Sequence, residues 1–351
     1  MRAQAVTEHG ADLETVDLPD PVPTGAEIVV DVARCGVCHS DVHFWEGWLD
    51  FGGQKMPVSE MGFPSPLTLG HEIYGTVAAL GPDARGVAVG EPYIVYPWIG
   101  CGTCDMCAAG RDDLCEEQAA LGVKTRGGFG EKVVVRDPKF LVPADDIDPS
   151  VAATLACSGL TAYAAIQKAK PASPDAPMVV IGAGGVGLNA VALLTAMDHR
   201  NIVVVDIDDA KLAVAQETGA HAVINTKGAD DPVAAIAAAA GGPVRSILDF
   251  VGSGETATMG FNALAKGGKL VLVGLFGGLF AVPSAQFAVR ATSVEGSYVG
   301  SLAELRDLVM LVQAGRYTPP PVETVATSEA SNVLRGLRDG TVIGRKVLAT
   351  A

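Results

Sequence analysis

The sequence predicts an α/β protein of two domains, a β-rich domain followed by a doubly wound parallel sheet. Three observations lead to this expectation: the length of the chain, a change of texture near residue 158, and a regular alternation of strands and helices beyond it. At 351 residues the chain is longer than one hydrophobic core usually serves. Its hydrophobic content of 49% is enough for two large cores.

The first half of the chain is predicted to be irregular, mostly antiparallel β-structure. Short β-type runs alternate there with turn-forming Gly and Pro, which is typical of such a domain. The predicted strands include Glu27–Val32, Ile73–Leu80, Pro92–Val95 and Glu131–Val135.

The second half alternates apolar strands with Ala-rich helical segments, a pattern that indicates a parallel sheet with crossover helices. The predicted strands are Met178–Ile181, Ile202–Asp206, Ser246–Val251 and Lys269–Val273. The predicted helices are Val186–Met197, Asp209–Thr218, Pro232–Ala240 and Glu255–Leu264. The chain then ends with two further helices and a strand-like run: Leu302–Ala314, Glu329–Asp339 and Gly344–Ala349.

Composition and charge narrow the classes of function. A net charge of −15 argues against a nucleic-acid partner, because Lys and Arg provide most of the affinity for phosphates. The apolar stretches are interrupted by Asp, Lys or Gly short of the roughly 18 residues that a membrane span needs. The chain begins MRAQAVTEHG, without an apolar signal region. We therefore expect a soluble, cytoplasmic protein with neither a nucleic-acid nor a membrane partner.

Four cysteines lie within fifteen residues, as Cys101-x2-Cys104-x2-Cys107-x7-Cys115. Thiolates at this spacing can converge on one ion, and four cysteines are a known ligand set of closed, tetrahedral structural zinc sites. A ferredoxin-type cluster would instead need C-x2-C-x2-C-x3-C-P. Disulfides and redox dithiols are the alternatives, and a reducing cytosol argues against the disulfides because closely spaced cysteines there more often mean metal or catalysis. Because the chain has seven cysteines, at least one is unpaired in any disulfide scheme.

A glycine-rich motif, Gly182-x-Gly184-x-x-Gly187, ends one predicted strand and opens a helix. In this setting the motif predicts a dinucleotide site, since its glycines allow a tight turn, close approach of the backbone to a pyrophosphate, and packing of the helix on the strand. The helix N-terminus then meets the negative charge of the pyrophosphate.

The next strand ends in Asp206, about twenty residues further on, where a carboxylate grips a ribose 2′-hydroxyl. A 2′-phosphate there would meet like charge from Asp206 and from Asp208 and Asp209, so we expect NAD(H) rather than NADP(H). The alternative is that Asp206 only caps the following helix.

Three cysteines lie outside the four-cysteine lobe, Cys35, Cys38 and Cys157, and two short stretches stand out, residues 35–43 and Gly70-His71-Glu72. Two cysteines and one histidine are a known set for a catalytic zinc that keeps an open position. Spacing alone does not establish that they converge, because a lone buried Cys is usually packing and a lone His is usually a hydrogen-bonded structural residue.

Taken together, these motifs resemble those of one family. In chain order they are Cys38-His-Ser-Asp, Gly70-His71-Glu72, the four-cysteine lobe, Cys157-Ser-Gly-Leu-Thr161 and the glycine-rich motif, and they cover essentially the whole chain. The chain resembles the zinc-dependent alcohol dehydrogenases of the medium-chain dehydrogenase/reductase superfamily. The resemblance implies a GroES-like catalytic domain (residues 1–157 and 298–351), a Rossmann NAD-binding domain (158–297), and an active site in the cleft between them.

The resemblance also implies roles for individual residues. It makes Cys38, His71 and Cys157 the ligands of a catalytic zinc, with Glu72 as an occasional ligand and Asp41 orienting the His71 ring. The four-cysteine lobe would hold a second zinc. Ser40 and His43 match positions of a proton relay. Cys35 matches no ligand position and is interpreted as packing.

The cofactor would contact a larger set of residues. These are His39 and Arg345 near its pyrophosphate, Lys211 near the adenosine ribose, Thr161 beside the nicotinamide, and Gly182, Gly184, Gly185, Val186, Gly187, Asp206, Val251 and Gly274 along the nucleotide.

The implied function is reversible hydride transfer between NAD(H) and an alcohol. A cysteine at position 157, where polyol dehydrogenases of the superfamily usually carry an acid, disfavours sugar alcohols. Trp45 and Trp48 lie in a long segment between His43 and Gly70, and Trp98 lies close to the four-cysteine lobe, so the first domain holds all three tryptophans. They predict either an aromatic pocket for secondary, cyclic or aryl alcohols or packing at a surface or subunit contact.

Two other functions remain open: a zinc-free reductase of the same superfamily, and a non-enzymatic, nucleotide-binding zinc scaffold. The complete ligand set argues against the first, and Ser40 with His43 argues against the second. The family forms homodimers or homotetramers, and the run 277–282 is a candidate edge for pairing across a subunit interface.

Overall fold

Two large β-sheets organise the fold in the computed structural model, which describes residues 1–63 and 66–350. The strands are β1 (Arg2–Ala5), β2 (Glu14–Asp17), β3 (Ile28–Gly36), β4 (Trp48–Asp50), β5 (Lys55–Pro57), β6 (Glu72–Leu80), β7 (Pro92–Val95), β8 (Lys132–Val135), β9 (Leu141–Val142), β10 (Met178–Ile181), β11 (Ile202–Asp206), β12 (Ala222–Asn225), β13 (Ser246–Asp249), β14 (Lys269–Leu272), β15 (Ser293–Gly296), β16 (Val322–Ala326) and β17 (Arg345–Ala349).

The helices pack against both sheets and connect them. They are α1 (His39–Glu46), α2 (Asp105–Ala108), α3 (Pro149–Thr154), α4 (Leu160–Ala169), α5 (Gly185–Ala196), α6 (Asp209–Thr218), α7 (Pro232–Ala240), α8 (Gly254–Ala263), α9 (Ser284–Arg290), α10 (Leu302–Gln313) and α11 (Ala330–Arg338).

The first sheet has seven strands and is mostly antiparallel. Its order is β16-β17-β3-β6-β7-β9, with β8 also paired to β3. β3 is its centre and pairs with β6, β8 and β17. The C-terminal strands therefore complete a sheet that the first half of the chain begins, with Val347 opposite Gly36.

The second sheet has six parallel strands in the order β12-β11-β10-β13-β14-β15. The order reverses between β10 and β13, and in sheets of this kind ligands bind at the carboxyl ends of the strands beside that switch point. β10 and β11 have the predicted bounds, because their residues are apolar and almost entirely buried, as strands covered by helices on both faces must be. The predicted α/β class, a GroES-like domain with a Rossmann sheet, is confirmed.

Hydrophobic burial continues from one sheet to the other. Side chains on one face of the parallel sheet, such as Val180 and Val204, share a core with Ile28 and Ile73 of the antiparallel sheet. Alternate residues on the same strands, such as Val179, form a separate core under the helices of the opposite face. The alternation follows from the two-residue period of a strand.

One long helical run joins the two sheets. α3 and α4 are continuous through a π-helical turn, Leu155–Gly159, and the predicted domain boundary at residues 157 and 158 falls inside this turn. The run Pro149–Ala169 is long and apolar enough to cross a membrane, but 83% of its most apolar window is buried inside the protein. It is the core helix of this fold.

The long segment after His43 completes α1 and forms a hairpin of β4 and β5, and its residues 64 and 65 lie outside the described residues. Trp45 is almost fully buried and carries Arg338 over its ring, while Trp48 lies on the hairpin beneath Lys55. Each of these two tryptophan rings therefore has a cationic side chain over it.

Two glycines of the glycine-rich motif have different surroundings, which makes them a test of the fold. A Cβ on Gly187 would lie 1.8 Å from the Gly182 carbonyl oxygen, whereas a Cβ on Gly184 would meet nothing within 4 Å. We expect Gly187→Ala to lower the free energy of unfolding by about 1–3 kcal/mol, as overpacking does. Urea denaturation measures this change.

The control for that variant is Gly184→Ser. Gly184 is the N-cap of α5, and Ser is a favoured N-cap residue, so this variant should match the wild-type protein. A Gly187→Ala protein as stable as the control would contradict the close packing of helix on strand.

Candidate metal and dinucleotide sites

Cys38, His71 and Cys157 converge in the structure. Cys38 is the N-cap of α1, His71 immediately precedes β6, and Cys157 lies in the π-helical turn. One donor atom from each lies within 4.8 Å of the other two, and all three residues are buried. The sheet and the helical run thus bring together donors that sequence spacing could not place.

This donor set suits a zinc ion. Two thiolates bound tetrahedrally at 2.3 Å would stand about 3.8 Å apart, so the observed grouping needs little adjustment to close on a metal. The Asp41 carboxylate organises the site from behind, accepting hydrogen bonds from the Cys38 amide at 2.8 Å and the Gly70 amide at 3.1 Å. His71 Nδ1 lies 3.4 Å from Asp41 Oδ1, an electrostatic contact too misaligned to count as a hydrogen bond.

The three donors shift one another's protonation. The hydrogen bond from Cys157 outweighs burial and sets the pKa of Cys38 well below its usual value. The same contact, with burial, raises the pKa of Cys157. Burial alone would lower the pKa of His71, but the charges of Asp41 and Cys38 raise it well above its usual value. One thiolate is therefore favoured within this buried site.

Glu72 lies beside these donors but faces a different partner. One carboxylate oxygen accepts a hydrogen bond from Arg345 Nη2 at 2.5 Å, and the other accepts one from the Ser158 amide at 3.1 Å. Glu72 is not one of the three grouped donors. Burial raises its pKa even though the Arg345 charge opposes that change.

Ser40, His43 and His39 lie on α1, next to Cys38. Ser40 Oγ is 3.4 Å from His71 Nε2, so the hydroxyl stands beside the donor group. His43 is buried, and its Nδ1 has no hydrogen-bond partner among the described residues. Burial lowers the pKa of His43, and the nearby charge of His39 lowers it further.

The four cysteines of the lobe also converge, with one sulfur from each within 4.8 Å of the others. All seven cysteines of the chain are free. The Cys101 amide donates to Cys115 Sγ, and the Cys107 amide donates to Cys104 Sγ. Hydrogen bonds from the Thr103 hydroxyl and neighbouring amides lower the pKa of Cys101 to about 6, as suits a thiolate that binds metal.

The glycine-rich loop adopts the geometry that its motif predicts. Gly182 has a φ of +94°, which glycine adopts without strain, and α5 begins at Gly185. Asp206 lies at the rim of the loop, where its carboxylate accepts hydrogen bonds from the Ala183 amide at 2.6 Å and the Ile207 amide at 2.7 Å. Asp206 is not the cap of the following helix. The N-cap of α6 is Asp208, whose carboxylate accepts hydrogen bonds from the first backbone amides of that helix.

Arg345 lies against this loop. A Cβ on Gly185 would be 2.6 Å from Arg345 Cδ and 2.8 Å from its Nη1. The guanidinium is buried, and its Nε has no partner among the described residues. A buried N–H donor without a partner lowers the stability of the folded protein. A phosphate beside the loop would accept a hydrogen bond from this Nε–H.

The other predicted cofactor residues lie around the same strand ends. Thr161 is buried at the start of α4, Lys211 is on α6, and Val251 and Gly274 follow β13 and β14. A Cβ on Gly274 would be 2.1 Å from the Val251 carbonyl carbon, so these two strand ends touch. Val186 is half-buried in the first turn of α5.

An aromatic pair borders the three-donor site. The Trp98 ring centroid is 5.4 Å from that of His71, and Tyr298 packs edge-on against Trp98 at 5.7 Å. The Tyr298 hydroxyl donates to Gln118 Oε1 at 3.2 Å. Sequence reasoning identified Trp98 but missed Tyr298, which no motif includes.

Comparison with known families places the chain. Residues 24–146 match the family model of the alcohol dehydrogenase GroES-like domain, and residues 185–314 match that of the zinc-binding dehydrogenases. The NAD-dependent alcohol dehydrogenase of Sulfurisphaera tokodaii is 34% identical over 99% of each chain. The chain belongs to the zinc-type alcohol dehydrogenases of the medium-chain dehydrogenase/reductase superfamily, and it is an NAD-dependent alcohol dehydrogenase.

Solved structures agree with this placement. The alcohol dehydrogenase of the hyperthermophilic archaeon Aeropyrum pernix superposes with a TM-score of 0.90 at 32% identity, covering 99% of this chain and 100% of that one. The acetophenone reductase of Geotrichum candidum, in complex with NAD, gives a TM-score of 0.85 at 25% identity, covering 99% and 96%.

The role of Asp41 is testable with a variant of the same shape. We expect Asp41→Asn to weaken zinc binding at the Cys38 group by about 10–100-fold, because partners behind a ligand typically contribute that much to metal affinity. Chelator competition followed by metal analysis measures the loss. Zinc in the four-cysteine lobe is the internal control, and equal retention at both sites would contradict the assignment.

Proposed function

We propose that the protein is an NAD(H)-dependent alcohol dehydrogenase that needs zinc at Cys38, His71 and Cys157 and acts on secondary, cyclic or aryl alcohols and their ketones or aldehydes. The observation that carries the proposal is the grouping of those three donors within 4.8 Å of one another. Ser40 lies beside them, with its hydroxyl 3.4 Å from His71 Nε2. Three protein ligands leave a fourth position for a substrate oxygen.

Two zinc ions per chain are proposed, one at this site and one in the four-cysteine lobe. When bound at the first site, zinc supplies Lewis acidity that lowers the pKa of a substrate hydroxyl, and NAD⁺ is the oxidant. The lobe offers four sulfurs and no open position, so its metal would be structural.

The chain's own residues would then move the proton. Ser40 Oγ, which stands beside His71, would take the substrate proton as it gives up its own, and His43, three residues further along α1, would be the outer group that releases a proton to solvent. The depressed pKa of His43 keeps its imidazole neutral near pH 7, which is the form that accepts a proton.

The cofactor would lie across the loop. Asp206 would hold the adenosine ribose, with Lys211 on the neighbouring helix; His39 and Arg345 would face the pyrophosphate. Thr161, Val251 and Gly274 would border the nicotinamide end. The carboxylate of Asp206 supports NAD(H) over NADP(H), since a 2′-phosphate would meet like charge there.

The aromatic pair of Trp98 and Tyr298 supports the proposed substrate class. The Trp98 ring stands next to His71 and Tyr298 packs against Trp98, so a substrate at the fourth position would lie near an aromatic surface. The similarity to an acetophenone reductase also supports an aryl substrate.

Self-association into a dimer or tetramer is also proposed. Phe276 and Leu279, in the run after β14, expose 70% and 79% of their surface, and such exposed apolar side chains are typical of subunit contacts.

Zinc stoichiometry tests the proposal together with NAD⁺ reduction by primary, secondary, cyclic, aryl and sugar alcohols. We expect two zincs per wild-type chain and turnover of the secondary, cyclic or aryl members. Cys38→Ser should keep one zinc and lose activity by about 100-fold or more, because Lewis-acid stabilisation amounts to several kcal/mol.

The matched control is Cys35→Ala, which removes a buried thiol outside the donor group. It should keep two zincs and wild-type activity. One zinc per wild-type chain with no alcohol oxidised would favour a zinc-free reductase or a nucleotide-binding scaffold, and turnover of sugar alcohols alone would overturn the substrate class.

Cofactor preference depends on the carboxylate of Asp206. The double variant Asp206→Gly with Ile207→Arg should raise the ratio of kcat/KM for NADPH over NADH by about 10-fold or more. The variant removes a carboxylate that repels the 2′-phosphate and adds a guanidinium that binds it. Asp230→Asn removes an acid elsewhere in the same half of the chain and should leave the ratio unchanged. An unchanged ratio in the double variant would contradict the assignment.

A further inference from the structure

A ring of buried polar groups connects the dinucleotide loop to the segments that carry the metal donors. Asn189, one turn into α5, donates from its amide nitrogen to the Gly185 carbonyl at 2.9 Å and to Ser158 Oγ at 3.4 Å. Ser158 follows Cys157, and its backbone amide donates to Glu72 at 3.1 Å. Glu72 follows His71 and binds Arg345, which completes the ring.

The ring closes because Arg345 lies against the loop. The space where a Gly185 Cβ would stand is filled by the Arg345 side chain, with its Cδ 2.6 Å away. Gly185 therefore contacts the ring twice, through its carbonyl and through its α-carbon. The loop cannot shift without moving Asn189, Arg345 or both.

The orientation of Asn189 is fixed by its partners. The Gly185 carbonyl can only accept, so the amide nitrogen faces it, and the amide oxygen accepts from the Tyr317 hydroxyl at 2.6 Å. Asn189, Ser158 and Glu72 have no exposed surface. Buried polar networks whose members are paired in this way are rigid, because each broken contact leaves an unsatisfied group.

The metal-donor end of the ring is the π-helical turn, Leu155–Gly159. Such turns are often found at functional sites. Within this one, the Ser158 hydroxyl donates to the Thr154 carbonyl at 2.9 Å while accepting from Asn189. The position of Cys157 is thus tied to α5 through its neighbour in the chain.

We propose that Asn189 is a positioning residue that couples dinucleotide binding to the geometry of the Cys157 metal site. A dinucleotide bound to the loop would restrict the position of Gly185. The hydrogen bonds of Asn189 would then restrict Ser158, and with it the neighbouring Cys157, whose sulfur would bind the metal. Coupling of this kind is reciprocal, so zinc must change NADH affinity by the factor by which NADH changes zinc affinity. The inference rests on the proposed catalytic zinc site.

The test measures NADH affinity by calorimetry in protein loaded with two zincs and in protein from which a chelator has removed the Cys38-site zinc. Metal analysis accompanies each titration. We expect the wild-type protein to bind NADH about 10-fold more tightly when loaded, a typical size for coupling between sites. Asn189→Leu, which keeps the shape and removes the hydrogen bonds, should reduce this ratio to within 2-fold of unity and weaken zinc binding at the Cys38 site by about 10-fold.

Tyr317→Phe is the matched control, because it removes a buried hydrogen bond to Asn189 but keeps the contacts with Gly185 and Ser158. It should lower the thermal stability and keep the wild-type ratio. Ser158→Ala, a milder change, removes the hydroxyl that Asn189 contacts and should reduce the ratio as Asn189→Leu does, even where the latter folds poorly.

Three outcomes overturn the inference: a wild-type ratio near unity, a wild-type ratio retained in Ser158→Ala and Asn189→Leu, or an equal loss of coupling in Tyr317→Phe. Stoichiometry separates these failures from a failure of the proposed function. Two zincs without coupling refute only the role of Asn189, whereas a single zinc in the wild-type chain refutes the catalytic site and the coupling together.

Discussion

The catalytic region depends on one constraint, the burial of two thiols and an imidazole within 4.8 Å of one another. These donors come from three segments that are far apart in the chain, and nothing in their local sequences holds them together. The antiparallel sheet positions Cys38 and His71 through the pairing of β3 with β6, in which Gly36 lies opposite Glu72. The helical run between the sheets adds Cys157 from the other side.

Two buried charge pairs lie beside these donors. Asp41 faces His71 and the Cys38 amide, while Glu72 binds Arg345. Breaking such a buried pair by removing one partner typically costs about 3–5 kcal/mol, because it leaves a charge without compensation. The two pairs therefore fix the positions of the buried charges beside the donor group.

The sequence predicted much of the fold because its strongest signals are local. β10 and β11 are continuous buried runs, and α6 and α7 each begin after an Asp N-cap and end before a Gly, so their bounds were predicted correctly. The half-buried edge strand β12 was missed because four residues with no alternation carry little signal. The hairpin of β4 and β5 was missed for a similar reason, since it depends on packing beyond the segment itself.

The candidate site was predictable to a lesser degree. The four-cysteine lobe and the glycine-rich loop are compact motifs, and residue type and spacing alone identified them. The convergence of Cys38, His71 and Cys157 was implied only by resemblance, since it depends on how two sheets pack. Tyr298 and Asn189 had no sequence signal, because their importance comes from contacts with residues far away in the chain.

The continuous helix Pro149–Ala169 has a consequence for protein engineering. Each residue of an α-helix advances the chain by 100°, so inserting or deleting one residue upstream of Cys157 would turn its sulfur away from the other donors. A chimera that joins the substrate half of one relative to the nucleotide half of another should therefore not be cut at residue 157, although the sequence changes texture there. Recombination junctions belong outside this helix, where a change of length leaves the register of Cys157 intact.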